Sequence, residues 1–477
     1  MYSQAWTQMD TNIEGIESYC SFGYAIALSE DGYTILSGGN ALDHNDEDSG
    51  YAQVFEWNGI SWQQKGENLY GEAFGDEFGY SADISADGDI IAIGATQGSS
   101  ETQVGYVKVF SWNGSSWEMK GSRLNGEDAE DHFGTSLSLS NDGNTLAVYD
   151  RQGINGESAG TVVVYNWNGT DWTQKGDKLE GNEGDNFGWA ISLSADGNTL
   201  AVGAESGFSF HGYAAIYFWN GSEWEQKGND INGDAEGDKF GFSISIDENG
   251  NTVAIGARSN SGNGAQSGQL KVFTWDGGSW EQKGSDIYGD GPTHFLGWST
   301  SLNADGNIVA VTFTPFNTKR GFDEGHMRVF QWNNTSWVQI GEDLNGNSDG
   351  DRAGYDSAIN ADGSVVAFSA PFGQGEVPSS GYVRIISYTY TYNTELSEIA
   401  NTVVFPNPTT QRVTIEMEKA RDRIDIVLKD ILGKIIKTYS FENISKTEIE
   451  IPGPKGIYFL ELKTDKGTNE IVKVVKN

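Results

Sequence analysis

The 477-residue chain holds a single cysteine, Cys20, and no run approaching the eighteen or so apolar residues of a membrane-spanning helix. The first excludes any intramolecular disulfide, and with it any reading of redox compartment from cysteine pairing. The second removes membrane insertion from the expectations. Basic residues are scarce as well: 30 Lys and Arg stand against 68 Asp and Glu, a formal net charge of −38. Residues 395–477 carry 13 of each sign, so the chain before them has 17 basic against 55 acidic residues. Such a field repels nucleic acid and anionic lipid, and favours cations, basic partners or plain solubility. The N-terminus "MYSQAWTQMD" has neither a basic nor an apolar leader region, so the chain as given shows no signal peptide. Catalytic spacings are missing too: there is no H-E-x-x-H, P-loop or G-x-G-x-x-G pattern, and the five histidines fall at different repeat positions.

Repetition is what the chain has in abundance. "WNGSSWEMKG" (112–121) returns in close variants from Trp57, Trp167, Trp219 and Trp275, and more loosely from Trp332. Alignment on a Phe-Gly dipeptide finds seven copies, with the glycine at Gly23, Gly79, Gly134, Gly188, Gly241, Gly297 and Gly354, spaced by 53 to 57 residues. A period this regular marks a repeat architecture. In the second copy "FGYSADIS" reads as a strand, Asp87-Gly88 as a tight hairpin and "IIAIGA" as the returning strand. After a longer loop come "GYVKVFSW", the Asn113-Gly114 pair suited to a primed turn, and "WEMKG". Each copy therefore predicts four antiparallel strands. Period-two alternation puts Phe55 and Trp57 on one face, and the hairpin adds Trp62 to it. Six such hairpins hold twelve of the fifteen tryptophans. Burying one gains on the order of 5 kcal/mol gross, which argues for packing between repeats over an exposed sugar-stacking surface.

The ends say how the repeats close. "GYVRIISYTY" (381–390) is the third strand of the seventh copy, with Tyr388 in the tryptophan position and no fourth strand after it. "AWTQMDTNIEG" (5–15) supplies that strand from the other terminus. A ring that borrows its N-terminal strand removes the free sheet edges that an open row would keep. The expected fold is all-β: a seven-bladed β-propeller over 1–392, a linker at 393–402, and a small β-sandwich over 403–477, where tryptophan stops and lysine becomes common.

The motif "GDNFGWAISLSADGNTLAVGA" (184–204) resembles the FG-GAP repeat family, and the resemblance covers roughly residues 1–390. Some members of that family hold Ca²⁺ in an Asp-rich loop. Here the corresponding loop is only "SADGN", with Asp196 as its single acid, too few ligands for a six- to eight-coordinate ion. No cofactor is required by this reading, and Ca²⁺ is the one ion to consider. "FPNP", the Asp430 to Lys434 turn, "PKGIYFLEL" and "VKVVK" together resemble the C-terminal sorting domain of type IX secretion substrates. That resemblance implies type IX secretion machinery as a partner of residues 403–477 and a secreted or cell-surface location, with an export signal expected ahead of Met1.

Strand polarity sorts the loops. The two hairpins of each repeat emerge at one end, and the second-to-third connections and inter-repeat links at the other. The links place Asp76, Asp131, Asp185, Asp238 and Asp351 at one equivalent position, either accepting N–H groups within a turn or holding a divalent ion or basic ligand. The second-to-third loops vary most and are the expected ligand-binding elements. Their candidates are Asp43 and Asp46, Phe208, Phe210 and His211 as an aromatic contact, and Lys319 and Arg320 as a basic island. Two functions follow as expectations: a non-catalytic binding or adhesion propeller recognising an extracellular glycan, matrix or protein ligand, or an extracellular polysaccharide hydrolase or lyase using acids near the channel.

Overall fold

A computed structural model describes every residue except 1, 44–47, 97–103, 128–131, 152–157, 315–323, 376, 393–401, 407–408, 431–433, 454, 465–468 and 477. The chain divides into Gln4–Thr389 and a second unit built on Tyr390–Asn477. Most of the expected linker, 393–401, lies outside the described residues, and Thr402 already opens a strand.

The first unit consists of seven antiparallel sheets arranged as propeller blades. Blade 1 runs from inside to outside as Phe22–Leu28, Thr34–Gly39, Tyr51–Trp57 and Trp62–Gln64. Blades 2 to 6 repeat this order from Phe78, Leu137, Phe187, Phe240 and Leu296. Each outer strand breaks after its Gln, or after Met119 in blade 2, and resumes as two residues, Leu69–Tyr70 in blade 1, which pair again with the third strand. In blade 7 the inner three strands are Ser357–Ile359, Val365–Ala370 and Tyr382–Tyr392, and the outer strand is Tyr2–Gln8 continued by Ile13–Glu14. Trp6 packs on Tyr388 at 4.8 Å, and Met9 N–H donates to Ile385 C=O at 2.9 Å. The ring is closed by the N-terminal strand, as the split repeat requires.

The Phe-Gly pair has a geometric reason. In blade 2 Phe78 pairs with Ala95 and Ser81 with Gly94, so Gly79 and Tyr80 form a bulge, with Gly79 at φ 95°. The bulge carries the inner strand against the preceding blade. A Cβ on Gly38 of blade 1 would lie 2.0 Å from the Gly79 carbonyl oxygen, which explains the paired glycines. The core sits between blades: Val162 and Val164 of blade 3 share one cluster with Phe187, Leu200 and Val202 of blade 4.

The repeated tryptophans meet as tilted pairs, 5.2–5.6 Å apart in blades 1 to 6. The rest of the motif acts on the next blade. Trp224 Nε1–H donates to the Lys175 carbonyl of the preceding blade at 2.8 Å. The Lys175 ammonium reaches forward over Trp219 and Trp224 at 5.5 and 5.2 Å, and donates to Gly197 C=O and Asn198 Oδ1 at 2.8 and 2.9 Å. Gly176, at φ 80°, lies under the same indoles, where a Cβ would meet Trp219 at 2.7 Å. "W-x-Q-K-G" is thus a staple between neighbours.

The turns differ from the primed hairpins expected. Trp112 pairs with Trp117 across a four-residue loop. Only Gly114 has a positive φ, 98°, while Asn113 Oδ1 accepts the Ser115 and Ser116 N–H groups, both at 2.9 Å. Asn is used here for its side-chain acceptor. Likewise Ser85 N–H donates to Ile90 C=O around a four-residue loop containing Asp87-Gly88.

In the second unit one antiparallel sheet runs Thr402–Phe405, Arg412–Asp430, Gly456–Thr464, Asn469–Lys476, with Ile435–Glu450 along the other side of Arg412–Asp430. The two layers of the expected sandwich come from this single sheet curling on itself. The long strand is irregular between Glu416 and Arg421, and Lys476 Nζ returns to the Ile451 and Gly453 carbonyls. Val413, Ile415, Ile424, Ile426, Leu460 and Leu462 fill the concave face.

Candidate functional site

The inner strands enclose a central channel of about 900 Å³. Its loop end is shaped by the residue after each Phe-Gly position, which follows a bulge in blades 1, 2, 4, 5 and 6: Tyr24, Tyr80, Thr135, Trp189, Phe242, Trp298 and Tyr355. Six are aromatic and stand in a continuous arc. Tyr24 contacts Tyr80 at 4.8 Å and Tyr355 at 4.9 Å; Trp298 follows Tyr355 at 5.8 Å, Phe242 follows Trp298 at 5.1 Å, and Trp189 closes the arc at 5.8 Å. All six are half-buried. Burial pushes the Tyr24 and Tyr80 hydroxyls well above the ordinary range and Tyr355 to about 12, so all three stay neutral donors.

Arg258, which follows the second strand of blade 5, lies over this arc with its guanidinium 4.1 Å from the Phe242 ring and 4.9 Å from Trp298. Burial lowers its pKa from the usual arginine value. Around the same mouth, all seven residues preceding the Phe-Gly position have left-handed backbone: Ser21, Glu77, His132, Asn186, Lys239, Phe295 and Arg352, with φ between 49° and 59°. Lys239 pairs with Glu205 at 3.0 Å.

Below the arc the walls are polar. Ser138, Ser192 and Ser245 hydroxyls accept the Leu193, Ile246 and Leu302 N–H groups of the next blade. Asp83 does the same for Leu139 at 2.7 Å, and Asp356 for Ile26 at 2.9 Å. Enclosure pushes both carboxyls up to about 6 against those hydrogen bonds. At the hairpin end the blades are joined by a circle of backbone bonds. Glu30 donates to Ala86, which donates to Asn141, then Ala195, Glu248, Ala304, Ala361 and back to Glu30, at 2.9–3.1 Å. Inside that circle Asn141 Nδ2 donates to Glu30. Burial, with a hydrogen bond to Glu248 and its charge, raises Glu30 to about 7.

The residues singled out from sequence lie elsewhere. Asp76 accepts the Glu72 and Ala73 N–H groups and the Tyr106 hydroxyl, at 2.7, 3.0 and 2.7 Å. Asp185 accepts from Asn182 and Tyr213, Asp238 from Ala235 and Asn260, and Asp351 from Ser348 and Tyr382. Asp131 lies outside the described residues. Asp43 accepts Asp48 N–H at 2.9 Å, and Asp46, Lys319 and Arg320 fall outside the described residues. Phe208 and Phe210 belong to a one-turn helix, with Phe210 59% exposed, and the His211 carbonyl accepts Phe240 N–H. Of Asp43, Asp76, Asp185, Phe210, His211, Asp238 and Asp351, none lines the channel. Among the described residues no three His, Cys, Asp or Glu side chains gather to hold a metal. Asp196, the one acid in its hairpin loop, accepts from Ser194, Asn198 N–H and Asn198 Nδ2, an arrangement that does not fit Ca²⁺. The aromatic arc was missed from sequence. Its signal was the letter after each Phe-Gly (Y, Y, T, W, F, W, Y), which needed the bulge to reveal its direction.

Residues 403–477 match the family described as Secretion system C-terminal sorting domain, and residues 232–273 match the FG-GAP repeat. No curated protein matches the chain. Among solved structures, hydrazine synthase of Kuenenia stuttgartiensis is similar with a TM-score of 0.51 at 9% identity, over 79% of this chain and 97% of that one. A periplasmic gluconolactonase of Pseudomonas aeruginosa gives 0.47 at 14%, over 69% and 86%. The Dos1 propeller gives 0.44 at 11%, over 80% and 95%. At such identities the likeness is one of fold.

Proposed function

We propose that this chain, an FG-GAP repeat propeller joined to a type IX sorting domain and so a secreted or cell-surface protein, works by binding a glycan at the loop end of its central channel. The observation that carries the reading is the six-membered aromatic arc. Aromatic faces at the mouth of a polar-walled cavity suit the apolar faces of sugar rings, whose hydroxyls then meet the wall. The same geometry supports binding over hydrolysis, because Asp83 and Asp356 are engaged by backbone N–H groups of adjacent blades and act as blade-to-blade acceptors. The variable second-to-third connections are assigned the choice among ligands, Phe210 and His211 included. The reading needs no cofactor; Ca²⁺ enters only as a variable to be controlled.

The test is a glycan array and titration calorimetry on the full chain, with and without Ca²⁺. Trp298→Ala is expected to weaken the best ligand by at least about tenfold, the scale of one lost stacking contact. Retention of full affinity in Trp298→Ala, or turnover of any polymer, overturns the reading.

A further inference from the structure

Within a chain of net charge −38, Arg258 is a cation with no direct ion-pair partner: the nearest carboxylate acting on it, Glu205, is itself paired with Lys239. Its Nε is buried without a hydrogen-bond partner, and among the described residues its guanidinium makes no ion pair. The repeat shows why. The position after the second strand faces the position before Phe-Gly. In blade 2 these are Thr96 and Glu77, which hydrogen-bond, and in blade 4 Glu205 and Asn186, which also do. In blade 5 they are Arg258 and Lys239, two cations that cannot pair, and Lys239 turns to Glu205 of blade 4. Arg258 is left with its guanidinium over Phe242 and Trp298, at the channel mouth that it lines.

Burying a guanidinium without a partner is costly unless a ligand supplies the acceptor. A planar fork held on aromatic faces matches a carboxylate or sulfate, with two parallel N–H···O bonds. The flanking indole matches the ring that carries such a group. We propose that the ligand at this mouth is an anionic saccharide, a uronate or a sulfated sugar, with Arg258 as the residue that reads its charge. This rests on the binding role proposed above and narrows it. The long-range field of the protein opposes any anion, so recognition is local: one charge clamped at the mouth, not a polyanion wrapped over the surface.

The experiment compares three probes on the full chain by calorimetry: an oligogalacturonate, a sulfated galactan oligomer and an uncharged glucan of equal length. An acidic peptide with a free C-terminal carboxylate is the fourth arm. One of the two charged sugars is expected to bind at least about tenfold more tightly than the neutral one, the scale of a charge-assisted hydrogen bond. Arg258→Gln should bring the ratio of charged to neutral affinity down to about one, whatever it does to neutral binding itself, and Arg258→Lys should restore part of that ratio. Unchanged melting of both variants shows that the fold is intact. Equal affinity for charged and neutral sugars, or an Arg258→Gln that leaves the preference in place, overturns the anionic assignment and leaves the glycan reading standing. Binding of the peptide alone overturns both.

Discussion

Five of the seven junctions between blades carry a lysine staple, and two do not. Lys65, Lys120, Lys175, Lys227 and Lys283 each lie 5.2–5.7 Å from a tryptophan pair of the next blade and donate to its first hairpin. At the junctions on either side of blade 7 the lysine is replaced by Ile340 and Met9. The acceptors change with it: Asp89, Asn144, Asn198, Asn251 and Asn307 become Ser364 and Tyr33. What remains of the staple at these junctions is its indole bond, Trp6 to Ile340 C=O at 2.8 Å and Trp62 to Met9 C=O at 3.2 Å. The blade assembled from both ends of the repeat array is also the one with no lysine staple on either side. Lysine and its acceptor vary together because an ammonium set between indoles is partly desolvated, and burial lowers Lys120, Lys175, Lys227 and Lys283 from the usual lysine value. That is tolerable only where carbonyl and amide acceptors are in place.

The contrast can be broken most severely by deleting residues 2–14, which strips blade 7 of its outer strand. The expected outcome is loss of a single cooperative thermal transition, read by calorimetry, because an unpaired edge then faces solvent. Next in size, Trp224→Ala at a stapled junction should cost about 3–5 kcal/mol in denaturant unfolding, as for other buried tryptophans. Lys175→Met imitates the unstapled junctions and should cost about 1–2 kcal/mol, the sum of a cation–π contact and two charged hydrogen bonds less their desolvation. The reverse exchange, Ile340→Lys with Ser364→Asn, should raise stability by about 0.5–1 kcal/mol, and by less if either change is made alone.

The smallest effect concerns pH. The folded-state pKa of Glu30 lies near 7, above its ordinary value. Its contribution to stability is therefore fully present below the ordinary carboxyl range and is lost as pH rises through about 7. Wild type should lose melting temperature between pH 5 and 8 relative to Glu30→Gln, and a constant difference across that window would refute the raised Glu30 pKa. Glu248 faces it within the same circle, and Asp31 adds a further negative charge.

Blade number, the split repeat and the tryptophan pairs were legible in sequence because each depends on spacing alone. The staple was only half legible: "Q-K-G" is visible, but its lysine acts on a hairpin some 22 residues further on, in the next repeat. The turn departs from the expected primed hairpin because Asn113 serves by its side-chain oxygen and not by a positive φ; at the loosest copy it is Asn334, in the glycine's place, that takes φ 76°. The aromatic arc was hidden for a different reason. Period-two alternation assigns faces only in a regular strand, and the Phe-Gly bulge shifts every residue after it.

The circle of seven backbone bonds at the hairpin end has a bearing on what can enter the channel. Bridged internally by Glu30, Asn141 and Glu248, that circle narrows the cavity opposite the aromatic mouth. A ligand offering a terminus or a side branch suits such a taper better than a polymer threaded through it.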